Sequence, residues 1–100
     1  MTPDQFRKSL SASAPPKGLS PALLGLWHAG KGEWEEAHRT VQDDDGPDAA
    51  WVHAHLHKQE GDASNARYWY ARATRDTFAM NLADEWSTIA KELLDRGDSA

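Results

Sequence analysis

Gly61-Asp62-Ala63-Ser64-Asn65-Ala66-Arg67-Tyr68-Trp69-Tyr70-Ala71-Arg72-Ala73 is the stretch on which the fold turns. Gly61 permits the positive φ with which a helix ends in a tight corner. Ala66, five residues on, is small enough for two backbones to approach. Tyr70, one turn further, fills the space below. Ala63, Ala66, Tyr70 and Ala73 recur at helical spacing and mark one buried stripe. Tyr68, Trp69 and Tyr70 together span about 200° of a helix, so they cannot all face one site. Tyr70 is assigned to the core, and Tyr68 and Trp69 are expected against the last helix and Trp86.

The same pattern stands 29 residues earlier, where Ala22 to Val41 lies over Trp51 to Tyr70. Gly32 falls on Gly61, Glu33 on Asp62, Ala37 on Ala66, His28 on His57, Leu23 on Val52 and Val41 on Tyr70. Two helical hairpins are expected, at about 20–45 and 47–74. Over residues 18–74 this pattern resembles the tetratricopeptide repeat. Its features are a glycine and an acid, then alanine, an aromatic residue and a final alanine, with Leu24-Gly25 as the large-small pair of the first helix. The period is 29 rather than roughly 34. His53 and His57 stand where large apolar residues are usual, and Trp51 comes one place late, after Ala50. The resemblance implies stacked antiparallel hairpins whose first helices line a concave, peptide-binding face. The whole chain also resembles a family of short uncharacterised helical proteins. These carry Trp-Val-His-Ala-His-Leu-His (51–57), Glu-Gly-Asp (60–62), Asn-Ala (65–66) and Tyr-Trp-Tyr (68–70), and the resemblance implies no activity.

Outward from the repeats, helix punctuation continues. Thr2-Pro3-Asp4-Gln5 is a capping box with proline at the first helical position, followed by Phe6 and Leu10 on one face. Pro15 and Pro16 forbid a helix through 11–18. Ser20-Pro21 and Pro47 open helices, and Trp34, Ala37, His38 and Val41 share one side of the next. Asn81 caps a last helix with Leu82, Trp86, Ile89 and Leu93 as its seam, and Arg96 to Ala100 is expected to fray. Val41, Val52 and Ile89 are the chain's only valines and isoleucine, so strands are not expected. The predicted fold is therefore one all-α domain. It has an N-terminal helix and loop (1–19), two stacked repeats (20–45 and 47–74) and a capping helix (81–95). That helix is needed because a repeat cannot bury its face alone.

Bulk chemistry excludes several functions. The net charge of −5 with scattered basic residues argues against nucleic acid, which requires a phosphate-neutralising patch. The absence of cysteine removes disulfides, thiolate zinc sites and thiol nucleophiles. No run approaches the ~18 apolar residues that span a bilayer. The first residues lack the apolar core of a secretory signal, so a cytoplasmic location is expected. No nucleophile elbow or phosphate loop is present, and an enzyme is not favoured. The acidic run Asp43-Asp44-Asp45-Gly46 lacks the closing glutamate of a calcium loop, since the twelfth position is Ala54. No cofactor is expected on these grounds.

Two surfaces remain. The first is the implied concave face, lined by Trp51, Val52, His55, Lys58 and Gln59, which would take a protein or peptide. Alternatively, the N-terminal helix, through Phe6 and Leu10, or a second copy of the chain in a homodimer covers it. The second is a histidine set. His53 and His57 share one helix face with Glu60 near, and His28 stands at the equivalent position of the first repeat. The spacing suits a metal or small-molecule site. The preferred reading of the residues alone is that these histidines pack between helices and bond to Glu60, Asp62 or an arginine.

Overall fold

The computed structural model describes residues 1–96, which are helical with no strand among them. The helices are α1 (Pro3–Lys8, continued by a 3-10 turn over Ser9–Ser11), α2 (Pro21–Gly30), α3 (Trp34–Val41), α4 (Pro47–Gln59), α5 (Ala63–Ala73) and α6 (Leu82–Asp95). Their starts follow from local chemistry. Thr2 and Gln5 form the expected reciprocal box, and the side chains of Ser20, Asp62 and Asn81 each accept a first-turn backbone N–H. Past Arg96, the tail expected to fray lies outside the described residues.

The two glycine corners are built alike. After α2, Gly32 (φ 79°) donates to the Ala29 carbonyl and Glu33 to that of His28. After α4, Gly61 (φ 89°) donates to Lys58 and Asp62 to His57. Each pair satisfies two carbonyls that a helix end leaves open. A third such corner, after α5, uses Thr74 at φ 57°. A β-branched residue rarely adopts that conformation, and sequence gave no warning of it.

α4 is the centre of the molecule, with every residue from Ala49 to His57 buried. It packs on α2, α3, α5 and α6, while α2 packs closely on α3. Phe6 is fully buried and stacks on Trp86, and the Trp86 indole donates to the Leu26 carbonyl at 2.8 Å. The N-terminal segment is thereby anchored on α2 and α6. Trp69 and Tyr68 do not meet Trp86 as expected. Trp69 stacks on His53, 3.9 Å between ring centres, and Tyr68 is exposed. The buried Tyr70 presents its hydroxyl to α6, which leaves Trp69, 100° round the helix, facing α4.

Gly25 faces Val41 and the Ala37 carbonyl of α3 at close range. A Cβ there would lie 2.6 Å from Val41 Cγ1. Alanine ordinarily stabilises a helix interior by about 1 kcal/mol over glycine. Here Val41 has little rotamer freedom to retreat. We expect Gly25→Ala to destabilise the domain by about 1–3 kcal/mol through overpacking. A urea midpoint at or above that of the wild type would show that the approach is slack.

Candidate metal centre

Three imidazoles converge where α3, α4 and α5 meet. His38 comes from α3, and His53 and His57 come from successive turns of α4. One ring nitrogen of each lies within 4.8 Å of the other two. His38 Nε2 and His53 Nε2 are 3.0 Å apart and share one hydrogen bond. His57 Nδ1 meets Glu60 Oε1 at 3.1 Å. Trp34 stacks on His38 at 4.9 Å and Trp69 on His53, closing the cluster between two indoles. The Trp34 indole is fixed by donating to the Leu56 carbonyl at 2.7 Å. A cavity of about 270 Å³, lined by Trp34, Glu35, His38, Arg39 and Gln42, opens beside His38.

This environment opposes protonation of His53 and His38. Burial, and then the neighbouring His38 and His57, lower the His53 pKa to about 4. Burial and His57 also lower that of His38, against a weaker opposite pull from Glu60. His53 Nδ1 is buried without a hydrogen-bond partner among the described residues. Such an atom forfeits about 1–3 kcal/mol of solvation.

The low pKa of His53 has a consequence for stability. The folded state resists a proton that the unfolded chain accepts near pH 6.5, the ordinary histidine value. Stability from this group is therefore complete above pH 6.5. It is lost as pH falls toward 4, and the loss ends below that. The loss is on the order of 3 kcal/mol. His53→Phe, which keeps a ring against Trp69, should flatten the slope of urea midpoint against pH between 6.5 and 4. An unchanged slope would assign the acid sensitivity to other groups.

The expected metal set is thus brought together in part. His53, His57 and Glu60 are adjacent, and Asp62 stands near His57 and Glu60. His28 lies apart, its Nδ1 bonded to Glu33 Oε1 at 2.8 Å across the first glycine corner. His38 takes the third place. It was visible in the sequence as a member of the stripe Trp34, Ala37, His38 and Val41, but was not connected with the other two.

The residues expected along the concave face have a different fate. Trp51 and His55 are only 1% and 2% exposed, because α6 and the connector before it lie over them. The Trp51 indole donates to Thr77 Oγ1 at 3.0 Å, and Arg75 stacks over its ring. His55 Nδ1 donates to Glu85 Oε1 at 2.6 Å. Lys58 Nζ donates to the Met80 carbonyl at 2.6 Å and lies 3.2 Å from Glu85 Oε1. Val52 is buried facing Gly25 of α2, and Gln59 is exposed. The groove expected to be open is filled by the chain's own last helix.

Glu85, fully buried, is the residue that sequence reasoning missed. It also accepts from the Tyr70 hydroxyl and from Thr77 Oγ1, the latter at 2.7 Å. Burial alone would raise its pKa, but the donors His55, Tyr70 and Thr77 outweigh it and hold the carboxyl below its ordinary value. The Tyr70 phenol is pushed up, first by burial and then by its bond to Glu85. A sign was present in the sequence: position 85 falls between Leu82 and Ile89 at helical spacing, on the apolar seam. Among the described residues, no helix is long and apolar enough to cross a membrane. Compared with known families, curated proteins and solved structures, the chain matches no family model, no curated protein and no solved structure.

Proposed function

We propose that this domain binds a borderline transition-metal ion of the zinc class through His38, His53 and His57, with Glu60 orienting His57. The observation that carries the proposal is the convergence of three imidazoles between the Trp34 and Trp69 indoles. Zinc at about 2.0–2.1 Å from tetrahedral nitrogens sets them roughly 3.3 Å apart. The His38 and His53 nitrogens, at 3.0 Å, are already near that spacing. His57 closes from within 4.8 Å by a side-chain rotation. Its other nitrogen faces a carboxylate, the usual outer support of a metal-bound histidine. The cavity beside His38 supplies an entry path and room for a water as fourth ligand. His38 and His53, whose protonation is opposed by burial, offer lone pairs at pH 7 with little competition from protons.

In this proposal the scaffold is a pair of stacked, tetratricopeptide-like hairpins. Its support is the matching corners at Gly32 and Gly61 and the buried Ala37 and Ala66 at equivalent positions. The metal sits where the two hairpins meet. Isothermal titration of the tag-free chain with zinc at pH 7.5 tests the reading. One equivalent should saturate the protein, and His38→Gln should remove that heat. Absence of a saturable signal in the wild type, or the same isotherm in the variant, would overturn it.

A further inference from the structure

His55 stands about 200° round α4 from His53, so it faces away from the metal centre. It is almost fully buried, and its Nδ1 meets Glu85 Oε1 at 2.6 Å. The donors around Glu85 hold its carboxyl below the ordinary value, so it is ionised at neutral pH and can only accept. Nδ1 is therefore the nitrogen that carries the proton. In the neutral imidazole Nε2 then offers a lone pair. Among the described residues nothing donates to that lone pair, and Nε2 is not sealed from solvent.

His55 lines a cavity of about 510 Å³ between the N-terminal segment, the end of α2, α4 and the start of α6. Its bond to Glu85 fixes what stands opposite. Leu82 and Trp86, one turn before Glu85 and next to it on α6, both line the cavity. Leu10 joins them. A Cβ on Gly30 would lie 3.0 Å from both Leu10 Cδ1 and Trp86 Cζ2, so these two side chains meet over one spot of α2. The charged groups of the lining are one of each sign, and both are engaged. Arg7 donates to Ser87 Oγ, and the Asp84 carboxylate accepts from the Asn81 amide at 2.9 Å. The lining thus favours no net charge on an occupant. It offers hydrocarbon, an indole and one buried acceptor.

We propose that this cavity binds a small neutral phenol. The phenol hydroxyl donates to His55 Nε2, and the ring and its alkyl substituent lie against Leu10, Leu82 and Trp86. A carboxylate on the far nitrogen raises the basicity of an imidazole, and a phenol is a strong neutral donor to match it. The ring suits an indole wall. The volume and the single polar anchor in an apolar lining are those of small-ligand sites. Glu85 then plays two parts. It ties α4 to α6, and it fixes the tautomer of His55 that the ligand requires. The site is independent of the metal centre: none of its lining residues belongs to the His38, His53 and His57 cluster.

The test uses 4-propylphenol as the probe. The control is 4-propylanisole, which keeps the ring and the oxygen but has no proton to donate. Titrations of the full chain at pH 8 are followed by the His55 Nε2 resonance in a long-range 1H–15N spectrum and by the Trp86 indole resonance. The phenol should move both saturably. The anisole should bind at least about fivefold more weakly, the factor expected for one net hydrogen bond. Leu82→Ser removes hydrocarbon from the wall at the exposed first position of α6, so it should leave the melting temperature near that of wild type. It should weaken the phenol by about fivefold. If the variant proves unstable, the two ligands on the wild-type chain decide alone. No saturable binding, equal affinity for phenol and anisole, a His55 Nε2 that does not move at saturation, or a folded Leu82→Ser that binds like wild type would each overturn the assignment.

Discussion

Glu85→Ala is expected to lower the melting temperature by more than about 12 °C, or to leave the chain unfolded at room temperature. The carboxylate holds together three elements. His55 and Lys58 approach it from α4, Tyr70 from α5 and Thr77 from the connector, while Glu85 itself sits on α6. Its removal strands a buried phenol, a buried imidazole and a largely buried ammonium. Breaking a buried charged network by removing one partner costs about 3–5 kcal/mol. Domains of this size possess about 5–15 kcal/mol in all. Each kilocalorie shifts the melting point of such a domain by about 4–8 °C. Glu85→Gln should recover only part of the loss, since its amide end presents donors to neighbours that are themselves donors. A melting point within about 3 °C of wild type for Glu85→Ala would mean that water replaces the carboxylate without penalty. The role given to α6 would then fail.

The second large effect is stabilisation by metal. A ligand that binds only the folded state, present at a hundred times its Kd, stabilises by about 2.7 kcal/mol. For this domain that is a rise of roughly 10–20 °C in melting temperature. Zinc should produce it at pH 7.5 and lose it progressively as pH falls and the imidazoles take up protons. His38→Gln is the most informative variant, because His38 is only half-buried and glutamine keeps a polar tip at the site. It should abolish most of the shift while leaving the apo melting point near that of wild type. Glu60→Gln should weaken zinc by about 10–100-fold, the usual effect of an outer-shell partner. A zinc-induced rise that survives in both variants would place the ion elsewhere.

Much of the fold was legible because helix ends are chemically local. Thr2, Ser20 and Asn81 each name the start of a helix, and Gly32 and Gly61 each name an end. Of the stripe Ala63, Ala66, Tyr70 and Ala73, the last three are buried as the spacing required, while Ala63, at the first position of α5, is exposed. The Thr74 corner was hidden because that residue type gives no hint of positive φ. The candidate site was half legible. His53 and His57 are four apart on one helix, so one face holds both by geometry alone. His38 is fifteen residues from His53, and only the way α3 folds back on α4 brings them together. Trp51, His55 and Lys58, expected along an open face, all meet α6 or the connector before it. What covers that group is decided by Glu85, a charge that no apolar periodicity scores. A carboxylate on a hydrophobic seam can be buried when four donors meet it, and those donors are contributed by three different segments.

The most direct measurement is a long-range 1H–15N correlation spectrum of the histidine side chains, recorded on the tag-free chain at pH 7.5 with and without one equivalent of zinc. The metal-centre account predicts large shifts of Nε2 in His38 and His53 and of one ring nitrogen in His57, with His28 and His55 unmoved. Unchanged resonances for His38, His53 and His57, or shifts confined to His28, would contradict it.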